Sequence, residues 1–78
     1  MKKGLDEFKI GETGTIYSVS GEGRMRRRLF DMGVTNGAKV TLKKKAPFGD
    51  PLEIHIRGYE LTLRKSEASL VTMEVEDA

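Results

Sequence analysis

The sequence predicts a mainly β domain, a small five-stranded SH3-like barrel with one short helix inserted between its first two strands. Three observations carry that prediction. Nine glycines in 78 residues demand many tight turns and so favour short strands. Leu52, Ile54 and Ile56 alternate with Glu53, His55 and Arg57, the period of two that marks a half-buried strand. Only residues 24–32 carry a helical repeat, with Met25, Leu29 and Met32 at spacings of four and three.

Taken in order, residues 1–4 read as a loose end. The arm that follows, 5–14, covers one end of the core with Leu5, Phe8 and Ile10, and Gly11 and Gly14 turn it into the first strand. That strand, 15–20, points Ile16 and Val19 inward. Their odd spacing breaks a strict period of two, so a bulge or strong twist is expected between them. Gly21-Glu22-Gly23 ends the strand. The helix of 24–32 is too short to be stable alone and must pack its Met25/Leu29/Met32 stripe on the barrel, with Gly33 as a left-handed stop. Arg27 and Arg28 are spaced to reach Asp31 at i+4 and i+3. Phe30 falls off the stripe, to nearly the opposite side, beside Arg26. Thr35-Asn36-Gly37 turns into the second strand, 39–45, with Val40 and Leu42 inward. Lys44 shares their side at the strand's end, its stem along the core and its ammonium in water.

Ala46-Pro47-Phe48-Gly49-Asp50-Pro51 is the most constrained stretch of the chain. Two prolines fix φ near about −65° and remove two backbone donors, and Pro51 disfavours the α region for Asp50. Pro47 at the second position and Gly49 at the fourth fit a type I turn with Phe48 at its tip. There the ring either folds back over the sheet end or stands out as a preformed contact. The strand of Leu52, Ile54 and Ile56 comes next, then a hairpin turn at 57–60 and a strand carrying Leu61 and Leu63 inward. One helical turn at 64–68 precedes the last strand, 70–75, with Val71, Met73 and Val75 inward. Residues 76–78 read as a loose acidic end.

The length fits a single domain over residues 1–78. With no cysteine and one histidine, disulfides, thiolate sites and multi-histidine metal sites are excluded. Met1-Lys2-Lys3-Gly4 leads into a mixed polar segment, and no apolar run approaches the roughly 20 residues that span a bilayer. The expectation is a soluble chain of the cytoplasm. Net charge is +2, a mild bias, but half of the 14 basic residues fall in two clusters, Arg24, Arg26, Arg27, Arg28 and Lys43, Lys44, Lys45.

No catalytic constellation assembles from these residues, so the chain reads as a non-enzyme. Ser18, Ser20, Ser66 and Ser69 share one histidine, His55, which alternates with inward isoleucines and so points outward. No phosphate loop of the G-x-x-x-x-G-K-[ST] type occurs. Asp50, Glu53 and His55 form a solvated strand face more readily than a metal site, and neither metal nor cofactor is expected. The basic clusters fit a nucleic-acid-binding small barrel as an alternative, but only Phe30 and Tyr17 could act as stacking platforms, so no nucleic acid is expected.

Four segments, in order and correctly spaced, carry a resemblance over nearly the whole chain. They are Leu5 with Gly11-x-x-Gly14-x-Ile16, then Arg28-Leu29-x-Asp31-Met32-Gly33-Val34 followed by Gly37, then residues 46–51, then Arg57-Gly58 through Leu63-Arg64-Lys65 to Glu67-Ala68. With them the chain resembles the FeoA family, small SH3-like proteins associated with bacterial ferrous iron uptake. Asn36 departs from the pattern, standing where relatives often carry proline. The resemblance implies a cytoplasmic accessory protein of FeoB, a membrane transporter with a GTPase domain, so any membrane association runs through the partner and iron is not this chain's own ligand. Similar barrels end metal-dependent repressors, so a metal-responsive regulatory module is a further alternative, although no DNA-binding helix pair precedes this barrel. The exposed aromatic and basic residues, Phe48, Arg26, Phe30 and Arg24, are the expected partner-binding surface. Exposed sheet edges also leave room for self-association.

Overall fold

The structure, a computed structural model, describes residues 1–76; the expectation for residues 77 and 78 lies outside them. Six strands form one antiparallel sheet: β1 (Lys2–Gly4), β2 (Thr13–Val19), β3 (Lys39–Lys45), β4 (Leu52–Ile56), β5 (Tyr59–Leu63) and β6 (Val71–Glu74). Their spatial order is β1-β6-β2-β3-β4-β5. Helix α1 (Gly23–Asp31) joins β2 to β3, α2 (Lys65–Ala68) joins β5 to β6, and a 3-10 turn, Leu5–Glu7, follows β1. The fold is mainly β and SH3-like, as the sequence predicts.

Two corrections apply to the strand count. The sheet has six strands rather than five, and α1 therefore sits between the second and third. The extra strand is β1, in the segment read as loose. It has no apolar alternation to announce it and is held by pairing, Lys2 opposite Glu74 and Gly4 opposite Thr72. The Lys3 ammonium adds an ion pair with Glu12 at 2.7 Å.

Beneath the sheet lies the core that the periodicity predicts. Ile16 and Val19, Val40 and Leu42, Leu52, Ile54 and Ile56, Leu63, Val71 and Met73 are all buried, and Leu5 and Phe8 close one end. Ile10, expected with them, is 65% exposed. The irregularity expected in β2 is present: Ile16 pairs with Met73 and Ser18 with Thr72, leaving Tyr17 as the extra residue. A second one was not anticipated. Leu42 pairs with Ile54 but Lys44 with Glu53, so the side chains beyond Lys43 exchange faces. Lys45, not Lys44, turns inward and donates from Nζ to the Phe8 carbonyl at 2.8 Å, while Lys44 is exposed.

Only the C-terminal half of α1 meets the core. Leu29 is fully buried, with Phe30 and Met32 packed partly against the same cluster. Met25, expected in the same stripe, is 41% exposed, and all the residues from Gly23 to Arg28 are exposed with it. The helix ends as expected at Gly33, with φ +90°. The Val34 N–H donates to the Leu29 carbonyl and the Gly33 N–H to the Phe30 carbonyl, the paired bonds of a Schellman stop. Across the sheet, the β4–β5 hairpin turns in two residues, Arg57 and Gly58, at φ +49° and +85°, the left-handed pair that a tight type I′ turn requires. Arg57 donates from Nε to the Gly33 carbonyl at 3.0 Å, and the Tyr59 hydroxyl donates to the Met32 carbonyl. The hairpin thus holds the C-terminal end of α1.

Candidate functional site

An open concavity of about 780 Å³ lies beside the first turns of α1, lined by Arg24, Arg26, Arg27 and Phe30 together with Glu22 and Asp31. The strand-to-helix turn at 21–23 brings α1 back over the sheet, so that successive arginines project along its exposed side. Arg26 is fixed twice. Its Nε donates to the Val19 carbonyl at 3.2 Å, and its guanidinium lies 4.5 Å from the centre of the Phe30 ring, a cation–π contact between residues one helical turn apart.

Three of the four expected contact residues, Arg24, Arg26 and Phe30, therefore meet at one surface. Phe30 is not free-standing as predicted: it is half-buried and packs against the core, so its ring floors the concavity rather than projecting from it. Phe48 lies elsewhere, on the β3–β4 loop, and is 96% exposed. Of the two positions open to it in the sequence, it takes the outward one. The turn beneath it spans residues 46–49 as expected, closed by the Gly49 N–H on the Ala46 carbonyl at 2.7 Å, and the Ala46 N–H donates to the Pro51 carbonyl at 3.1 Å.

Between the two surfaces sits α2. The Asp50 carboxylate accepts the Lys65 N–H at 2.9 Å, tying the β3–β4 loop to the start of this helix. Glu67 is 4% exposed. One of its oxygens accepts the Arg64 N–H at 2.9 Å, and the other lies 3.7 Å from Arg28 of α1. Sequence reasoning paired Arg28 with Asp31 and missed Glu67, because its partners lie on other elements and no helical spacing reveals them. Arg57 and Tyr59 were missed as the anchor of α1 for the same reason.

Asp50, Glu53 and His55 do not converge: the Asp50 carboxylate caps α2, and His55 Nδ1 lies 2.9 Å from Glu60. Among the described residues no cluster of three or more His, Cys, Asp or Glu side chains is placed to hold a metal ion. The Tyr17 ring has the Lys2 ammonium 4.1 Å above it, as Phe30 has Arg26. Each candidate stacking platform thus has one face already covered by a cation.

The FeoA domain family matches residues 3–75. The chain belongs to the FeoA family. A curated relative, the Fe(2+) transport protein A/Fe(2+) transporter FeoB fusion protein of Porphyromonas gingivalis, is 32% identical over 71 residues. The match takes in 91% of this chain but 8% of that relative, in which the FeoA domain is joined to a transporter within one polypeptide. Among solved structures, a FeoA-like protein from Clostridium acetobutylicum is 38% identical, with a TM-score of 0.90 over 99% of this chain and 90% of that one. FeoA of Stenotrophomonas maltophilia, solved with zinc and described as a prokaryotic SH3 domain protein, is 28% identical, with a TM-score of 0.80 over 92% of this chain and 89% of the other. The FeoA fold is thereby shown for this chain, and the curated relative that it matches is named for Fe(2+) transport. No helix among its described residues is long and apolar enough to cross a membrane.

Proposed function

We propose that this FeoA domain acts as a single unit over residues 1–78, an accessory protein of ferrous iron uptake. It docks on the cytoplasmic side of a FeoB-type GTPase transporter and modulates that transporter's assembly or activity. The observation that carries this reading is the relative in which the domain and an Fe(2+) transporter FeoB share one chain. Covalent linkage raises the effective concentration of two modules, so a small surface suffices for their contact. The concavity on α1 is such a surface. Arginine and aromatic groups dominate binding energy at interfaces, and Arg26 is already held in place by Val19 and Phe30, which lowers the ordering cost of binding. The reading needs no cofactor and no chemistry on this chain. Phe48, on its separate loop, lies apart from this surface and is not needed for the contact, and the terminal strands β1 and β5 leave edges through which two copies could pair.

Titrating the protein with the transporter's cytoplasmic region, and with the intact transporter, tests the proposal. Binding to neither rejects it. Replacing both Arg24 and Arg26 by Ala, exposed positions that spare the core, is expected to raise Kd at least about tenfold. An unchanged Kd would remove α1 from the interface. Sedimentation of the protein alone over a concentration series measures self-association.

A further inference from the structure

We propose that the β3–β4 loop is a contact for the anionic surface of a phospholipid bilayer, with the Phe48 ring entering the interfacial layer and the surrounding cations facing the headgroups. Phe48 is 96% exposed, whereas the next most exposed large apolar side chain, Ile10, is 65% exposed. An aromatic ring this uncovered on an inflexible turn is held away from its own protein. Three bonds keep it there: the two that close the turn and the Asp50 to Lys65 bond that ties the loop to α2.

The charge around the ring selects the occupant. Lys43 and Lys44 on the strand leading into the loop, and Arg64 and Lys65 at the start of α2, are all exposed. Lys65 is in direct contact with the loop through its backbone, and the one carboxylate on the loop, Asp50, is engaged in that bond. A single ring on a loop whose two adjoining elements carry long exposed cationic side chains suits a fluid interface, where aromatic rings sit at headgroup level and each lysine or arginine near an anionic surface strengthens binding by about fivefold. A protein partner would need a pocket shaped to one protruding ring. One ring and a few cations give weak, reversible attachment, enough to orient a domain already kept near a membrane. The docking reading explains why the domain would be near a bilayer; the vesicle measurement involves no transporter, so either can fail alone.

The chain has no tryptophan, so Phe48→Trp places a single reporter at the tip without touching the core. Adding vesicles of phosphatidylcholine and phosphatidylglycerol at low salt should shift its emission to the blue. Pure phosphatidylcholine vesicles should shift it far less, and Lys43→Gln with Lys44→Gln should weaken the anionic-vesicle response by about tenfold or more. Wild-type protein should co-sediment with the same anionic vesicles, and Phe48→Ser should not. Water-like emission at every anionic lipid concentration would overturn the proposal. So would a loss of affinity in Phe48→Ser for the transporter's soluble cytoplasmic region, which would make the ring a protein contact.

Discussion

Glu12 shows what a single residue contributes to this small structure. Its carboxylate meets the Lys3 ammonium at 2.7 Å and accepts the Lys9 N–H at 2.9 Å, and these bonds, that to Lys3 foremost, hold its pKa below the ordinary glutamate value. A carboxyl depressed in the folded state stabilises it at pH values above the unfolded pKa, and that contribution is lost as pH falls through the folded pKa. Glu12→Gln is therefore expected to lower Tm at neutral pH, with the gap from wild type closing as the solution is acidified through the carboxylate range. A gap independent of pH would mean that Glu12 acts by packing alone. The sequence placed Lys3 in a loose end, so this pair could not be read from it. Lys44 and Lys45 make a similar point: alternation assigns the inward role to Lys44, and one extra residue at Lys43 transfers it to Lys45.

At the scale of elements, what is local was legible and what is long-range was not. Leu52, Ile54 and Ile56 define β4 by alternation alone, and Gly33 marks the end of α1 because a left-handed residue was needed there. Strand β1 escaped notice since its reason for existing is β6, about 70 residues away in the chain. Similarly, three of the four expected contact residues come together because one helix carries them, while the separation of Phe48 depends on tertiary placement. The end of α1 supports a direct test. A Cβ on Gly33 would lie 2.6 Å from the Tyr59 hydroxyl oxygen, at a φ of +90°. Gly33→Ala should thus cost about 1–3 kcal/mol by strain and displacement, read as a lower urea midpoint. A midpoint unchanged within error would mean that the hairpin does not constrain the helix.

For the whole molecule, the arm between β1 and β2 decides whether the sheet has a sealed core. Phe8 is fully buried, its ring lies against Gly14, and its carbonyl takes the Lys45 ammonium. A domain of this size is stable by about 4–12 kcal/mol. Phe8→Ala, costing about 3–5 kcal/mol, would remove a large part of that and should lower Tm by at least about 12 °C, measured by circular dichroism. A fall of only a few degrees would show that the arm merely covers the sheet. The SH3-like plan was legible because so many turns and alternating runs leave few alternatives to a small antiparallel β structure. The order of strands was not, since pairing β1 and β2 on either side of β6 depends on contacts between the two halves of the sequence.

That pairing also sets how the domain would respond to tension. The Val75 N–H donates to the Met1 carbonyl at 2.7 Å, and the ammonium of Met1 donates back to the Val75 carbonyl at 2.9 Å. Residues 1 and 75 therefore lie side by side at one end of an antiparallel ladder. Force applied between them would open the β1–β6 bonds one after another, as a zipper, instead of loading them together in shear. The same ladder that resists thermal unfolding should yield to a gentle pull.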